Sequence, residues 1–214
     1  MDHKEFTHKL FDKNYPTEVD PDDKMMEILR ASYRPIIPEL NKTGTLNLLL
    51  VMEEFAELSE LLLSPLPLIE GYFTHLFEET ADVLLCLQYI IDICGLNESE
   101  INKAIESYKF AKYEHNFDTD IALSLSKGQI LVSKYIRGKD IENTKKELIN
   151  IIGRLYYQFG KWFEDYGSVP VFEGETETFE DLVNRAINIK LERQANRNNQ
   201  KTFYWEVTKN EEKA

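Results

Sequence analysis

The chain has 214 residues, a formal net charge of −13 and two cysteines. That length supports one large domain or two small ones, with a core that needs neither disulfides nor structural metal. The acidic balance argues against a binder of nucleic acid polymers, which neutralise phosphates with clustered Lys and Arg, whereas a small polyanion can still be held through a metal ion.

No basic leader followed by an apolar run occurs, and no apolar segment reaches membrane-spanning length uninterrupted, so export and membrane insertion are not expected. Cys86 and Cys94 lie eight residues apart on one predicted helix, too far to bridge, and read as reduced core residues suited to the cytoplasm.

In chain order, residues 1–20 are mixed and polar, with Phe6, Leu10 and Phe11 able to dock a short helix. Asp20-Pro21-Asp22-Asp23 places an acid at a cap and proline in the first turn, which predicts a helix from about Asp22 to Tyr33, ended by Pro35 and Pro38. After the turn from Asn41 to Thr45, a long helix is predicted from Leu46 to Leu63. On its wheel Glu53, Glu54, Glu57 and Glu60 share one arc, while Leu48, Val51, Met52, Phe55, Leu58 and Leu62 cover most of the rest.

Ser64-Pro-Leu-Pro67 stops that helix, and another is predicted from Tyr72 to Cys94. From Val83 to Ile93 nearly every position is apolar, as in a helix buried on most sides, and Glu79 and Asp82 open this stretch. A desolvated carboxylate needs a base or a metal, and no Lys or Arg lies between Tyr72 and Cys94, so the partner must come from elsewhere. A basic helix from about Glu98 to Tyr113 follows, with Lys103, Lys109 and Lys112.

From Asp118 the plan repeats in a worn form. Thr119 to Ile136 matches the long helix, with Ser126-Lys-Gly-Gln129 where the acidic pair is expected, and Thr144 to Tyr157 matches Phe77 to Tyr89, setting Glu147 on Glu79 and Asn150 on Asp82. A loop from Gly167 to Thr176 leads to a last helix from Phe179 to Arg197, where Asn188, Lys190 and Arg193 align with Ser107, Lys109 and Lys112. The expected organisation is all-α: a unit over 1–117 with an intact acidic site, a degenerate unit over 118–197 and a polar tail over 198–214, the two units packed as an internal pseudo-dimer.

Residues three apart on a helix face the same side, so Glu54 with Glu57 and Glu79 with Asp82 each offer carboxylates from adjacent turns. An all-oxygen site of this kind suits Mg²⁺, with Mn²⁺ as an alternative, and a phosphorylated ligand. Helical acids are commonly a solvated face, which accounts for Glu53 and Glu60 better than for Asp82. A di-iron bundle would need Glu-x-x-His on two helices, and the one such pattern, Glu5-Phe-Thr-His8, lies in the polar N-terminal part. His75 reads as a helix-surface residue or a support for Glu79.

Glu53-Glu54-Phe-Ala-Glu57-Leu followed by Glu78-Glu79-Thr-Ala-Asp82-Val-Leu resembles the double signature of the MazG-like all-α nucleoside triphosphate pyrophosphatases, the superfamily that includes the dimeric dUTPases. The resemblance covers about residues 22–116. It implies that Glu54, Glu57, Glu79 and Asp82 bind Mg²⁺ and that a nucleoside triphosphate is split into monophosphate and pyrophosphate. It also implies that Glu53 or a ligand takes the proton of the attacking water, giving Glu53, Glu54 and Glu57 catalytic roles.

The family's Asn-x-Lys-x-x-Arg pattern, associated with phosphates, is altered at Lys109 and Lys112 but present as Asn188, Lys190 and Arg193. A homodimer is a further implication, and Tyr33 and Asn47 are candidates for the base pocket. The second reading is a nucleotide-binding or protein-interaction module without turnover, and the third a scaffold with fortuitous acids.

Overall fold

The computed structural model describes residues 3–19, 22–32, 45–64, 71–109, 116–172 and 175–200. Their architecture is all-α with one small hairpin: α1 (His3–Leu10), α2 (Asp22–Ser32), α3 (Thr45–Leu63), α4 (Tyr72–Ile93), α5 (Glu98–Tyr108), α6 (Phe117–Ile136), α7 (Ile141–Tyr166), β1 (Ser168–Phe172), β2 (Glu175–Thr178) and α8 (Phe179–Gln200). Among these residues no helix is long and apolar enough to cross a membrane.

The helix boundaries follow local chemistry. Asn97 and Asn116 cap α5 and α6 by accepting from the Glu100 and Thr119 amides. At α8, the Thr178 hydroxyl accepts from the Asp181 amide and donates to the Asp181 carboxylate 2.6 Å away, which satisfies one of the amides that a helix start leaves unpaired. Before α4, Gly71 sits in the left-handed region at φ 88°, where a side chain would be strained.

In α3 the buried residues Leu48, Val51, Phe55, Leu58 and Leu62 recur every three or four positions, leaving Glu53, Glu57 and Glu60 exposed. As its sequence predicts, α4 is buried on most sides, from Thr74 through Ile91. It packs against α3, α8 and α2. Cys86 and Cys94 are both buried in the core, and neither forms a disulfide.

Four further contacts link early helices to late ones: α3 lies against α6, α5 against α7, and α1 and α2 against α8. The first two are close enough to require glycine. A Cβ on Gly128 of α6 would lie 2.8 Å from Phe55 Cε2, and one on Gly153 of α7 would lie 2.6 Å from Ala104 Cβ. Where α4, α7 and α8 meet, Phe179 stacks on Tyr166 and packs on Phe77 and Trp162, closing the core beside the hairpin.

Three details depart from the sequence reading. The segment expected as a loop between Gly167 and Thr176 contains an antiparallel hairpin, pairing Ser168 with Thr178 and bulged between Pro170 and Phe172. The stretch from Thr144 to Tyr157, matched to Phe77–Tyr89, lies within a longer helix from Ile141 to Tyr166, because Phe159, Trp162 and Phe163 continue its apolar face. The last helix reaches Gln200, past the boundary expected at residue 197; residues 201–214 lie outside the described residues.

Candidate functional site

The acidic stripe of α3 faces the start of the buried part of α4. One carboxylate oxygen each from Glu54, Glu57 and Glu79 lies within 4.8 Å of the others. Glu54 and Glu79 are half-buried and Glu57 is exposed at the rim, so the cluster opens to solvent on the Glu57 side. Glu79 Oε2 is buried and has no hydrogen-bond partner, an orphaned acceptor that a cation would satisfy.

Burial, reinforced by the surrounding carboxylates of Asp82, Glu79 and Glu57, pushes the Glu54 carboxyl up to about 8. Burial with Asp82 does the same to Glu79, also to about 8, Lys190 pulling the other way. Carboxylates in this arrangement share protons unless a positive charge enters among them.

Asp82, the fourth acid of the double pattern, is already engaged. Its carboxylate accepts a hydrogen bond from Lys190 Nζ of α8, and the same ammonium lies 2.9 Å from Glu78 Oε1. Arg193, one turn further along α8, lies 3.5 Å from Glu78 Oε1. The cation that the sequence of α4 lacks is supplied from the far end of the chain.

Burial by itself would depress the Lys190 ammonium, but Asp82 and Glu78 more than compensate and hold it above the ordinary lysine range. Burial likewise pushes Glu78 up, yet Lys190 and Arg193 outweigh it and keep that carboxyl below the usual carboxylate range. The Phe6 ring of α1 lies 5.7 Å from Lys190 Nζ and covers the pair.

The residues singled out from sequence are thus divided. Glu54, Glu57 and Glu79 converge, and Asp82, Lys190 and Arg193 form the adjoining ionic network through Glu78. Glu53 is exposed on α3. Asn188 is used differently: its side-chain amide donates to the Pro16 and Glu18 carbonyls, at 3.0 and 2.6 Å, fastening the segment after α1. Lys109 pairs with Glu106 on its own helix and lines a separate cleft with Tyr156, Tyr157 and Lys161. Lys112 and Tyr33 lie outside the described residues, as does the side chain of Asn47.

In the second half, Glu147 meets a cation in place of another acid, with Lys134 Nζ at 3.8 Å and the Asn143 amide donating to it at 2.8 Å. Ser126 to Gln129 lies instead along α3, where the Gln129 amide donates to the Met52 carbonyl.

Sequence reasoning passed over Glu78 as a site residue. The signal was its place one residue before Glu79, which on a helix turns its carboxylate toward a different neighbour, here α8.

The convergent oxygens fit a hard divalent cation. Ligand atoms of one Mg²⁺ are separated by at most about 4.2 Å, so carboxylates already this close need only small rotamer changes. No known protein family, curated protein or solved structure matches the chain.

Proposed function

We propose that this chain is a divalent-metal-dependent nucleoside triphosphate pyrophosphohydrolase of the MazG-like all-α kind, releasing nucleoside monophosphate and pyrophosphate. The observation that carries the reading is the convergence of Glu54, Glu57 and Glu79 beside Lys190 and Arg193. Glu54, Glu57 and Glu79 would hold Mg²⁺ or Mn²⁺, with Asp82 available once Lys190 turns toward phosphate. When bound, the metal neutralises phosphate charge and acidifies an attacking water.

The chain's own residues do the rest. The excess of carboxylates over cations repels a bare polyphosphate, so binding of the ion and of the triphosphate are coupled. Lys190 and Arg193 stand where they can receive phosphate oxygens, Arg193 by a bidentate contact and Lys190 as a point charge. Glu53, exposed at the rim, or Glu57 takes the proton of the attacking water. The reaction breaks one anhydride bond, the new P–O bond forms to water, and its proton leaves through a carboxylate to solvent.

The tandem reading belongs to the same proposal. Contacts of α3 with α6, α4 with α8 and α5 with α7 support two units that exchange partners, the first contributing acids and the second cations. The Glu147 and Lys134 pair supports one metal site per chain. Two cysteines outside any disulfide suit the cytoplasm.

The test is a panel of canonical and modified nucleoside triphosphates with Mg²⁺, following pyrophosphate release. Turnover that Glu57→Gln and Glu79→Gln both abolish supports the enzyme. Metal-dependent binding without turnover by the unaltered chain sinks the hydrolase and leaves a nucleotide-binding module, a reading favoured by the engagement of Asp82 with Lys190.

A further inference from the structure

Glu78 carries a second relationship, on the side of α4 that faces α1. Its Oε1 is fixed by Lys190 and Arg193, and its Oε2 is turned toward His3 Nδ1 of α1, 3.9 Å away. That separation is too long for a hydrogen bond. The His3 ring stacks on His75 of α4, with centroids 4.7 Å apart and planes 17° from parallel. One ligand atom from each of His3, His75 and Glu78 lies within 4.8 Å of the others.

We propose that His3, His75 and Glu78 form a second metal centre, for a borderline transition-metal ion of the Zn²⁺ class, that clamps α1 onto α4. Two imidazoles and one carboxylate are the donor set such ions prefer, and they differ in kind from the all-carboxylate cluster around Glu79. The carboxylate is pre-oriented: its other oxygen is held by two cations, the support that ligating carboxylates receive from neighbouring groups in built metal sites.

The histidines are both exposed, so rotating their rings to aim lone pairs at one ion costs little and disturbs no core contact. The centre would also join α1 to α4, where among the described residues α1 otherwise rests on α8 through Phe6, Leu10 and the Lys9–Glu192 pair. It does not depend on the hydrolase reading, and a chain with no turnover can still possess it.

The experiment is a titration of the full chain with Co²⁺ and Zn²⁺ in excess Mg²⁺, which occupies the carboxylate cluster. Co²⁺ binding is read from its visible d–d bands, and Zn²⁺ binding from calorimetry and the shift in Tm. We expect one equivalent of each ion to bind, with affinity at least tenfold weaker in His75→Ala and in His3→Ala and unchanged in His8→Ala and Glu57→Gln. Since all of these side chains but Glu57 are exposed histidines, circular dichroism should show the variants folded. Absence of a stoichiometric site in the unaltered chain overturns the proposal. So does binding that survives both histidine substitutions, or that Glu57→Gln removes.

Discussion

Lys190 and Asp82, 108 residues apart in sequence, share a hydrogen bond inside the bundle, with Glu78 2.9 Å from the same ammonium. Lys190→Met removes the buried cation and leaves two carboxylates facing each other. Loss of one partner from a buried ion pair costs about 3 kcal/mol, a fall in Tm of about 6–12 °C for a chain of this size. Mg²⁺ should recover more of that loss than it adds to the unaltered chain, because the competing cation is gone. Thermal melts with and without Mg²⁺ check both parts, and an unchanged Tm would refute the first.

Glu79→Gln keeps the size of the side chain and removes one converging charge. Mg²⁺ affinity should drop by at least about 100-fold, the scale set by changes even one shell further out. Turnover should fall with it, while Tm in chelator rises because like-charge repulsion is relieved. Calorimetry and melting in chelator separate these effects from simple misfolding.

Stability without metal should depend on pH in a direction opposite to ordinary acid denaturation. Glu54 and Glu79 have folded pKa values of about 8, above the unfolded carboxylate range near 4.5. Between those limits the folded state binds more protons than the unfolded one, so stability falls as pH rises and levels off above about 8. Saturating Mg²⁺ should flatten or reverse the slope, because ligation requires the ionised forms and releases their protons. Denaturant midpoints from pH 5 to 9 would show it; a metal-free midpoint that climbs over this range would contradict the assignment.

Gly153→Ala tests the approach of α5 to α7. The added Cβ would lie 2.6 Å from Ala104 Cβ and 3.1 Å from the Ile105 amide nitrogen, against backbone as well as side chain. Overpacking of this kind costs about 1–3 kcal/mol, and the helix-propensity gain of about 1 kcal/mol offsets only part of it. A net loss of Tm is the expected result. The paired change Ala104→Gly with Gly153→Ala should recover only part of it, since the Cβ–Cβ contact goes while the backbone contact stays.

Helices were readable from the sequence because their apolar period and caps are local. Leu48, Val51, Phe55, Leu58 and Leu62 announce the buried face of α3. The convergence of Glu54, Glu57 and Glu79 was readable for a related reason, since two acidic pairs on successive apolar helices have little else to do. The hairpin was not, because Ser168–Phe172 is short, contains Pro170 and is paired through a bulge. Nor was the division of labour on α8, where Lys190 enters the core while Asn188, two residues earlier, turns outward to hold Pro16 and Glu18. That depends on how far α8 rotates against α4, which no local pattern records.

The same arrangement sets an order of assembly. The acids of α3 and α4 leave the ribosome long before Lys190 and Arg193, and Arg185 of α8 also ties down Leu10 and Tyr15 near the other end of the chain. During synthesis, therefore, the nascent helices carry their negative charges uncompensated, and the acidic cluster acquires its counter-ions only when the last helix docks. Contacts of such long sequence separation close slowly. A product shortened before α8 would keep the carboxylates and lose the means of burying them.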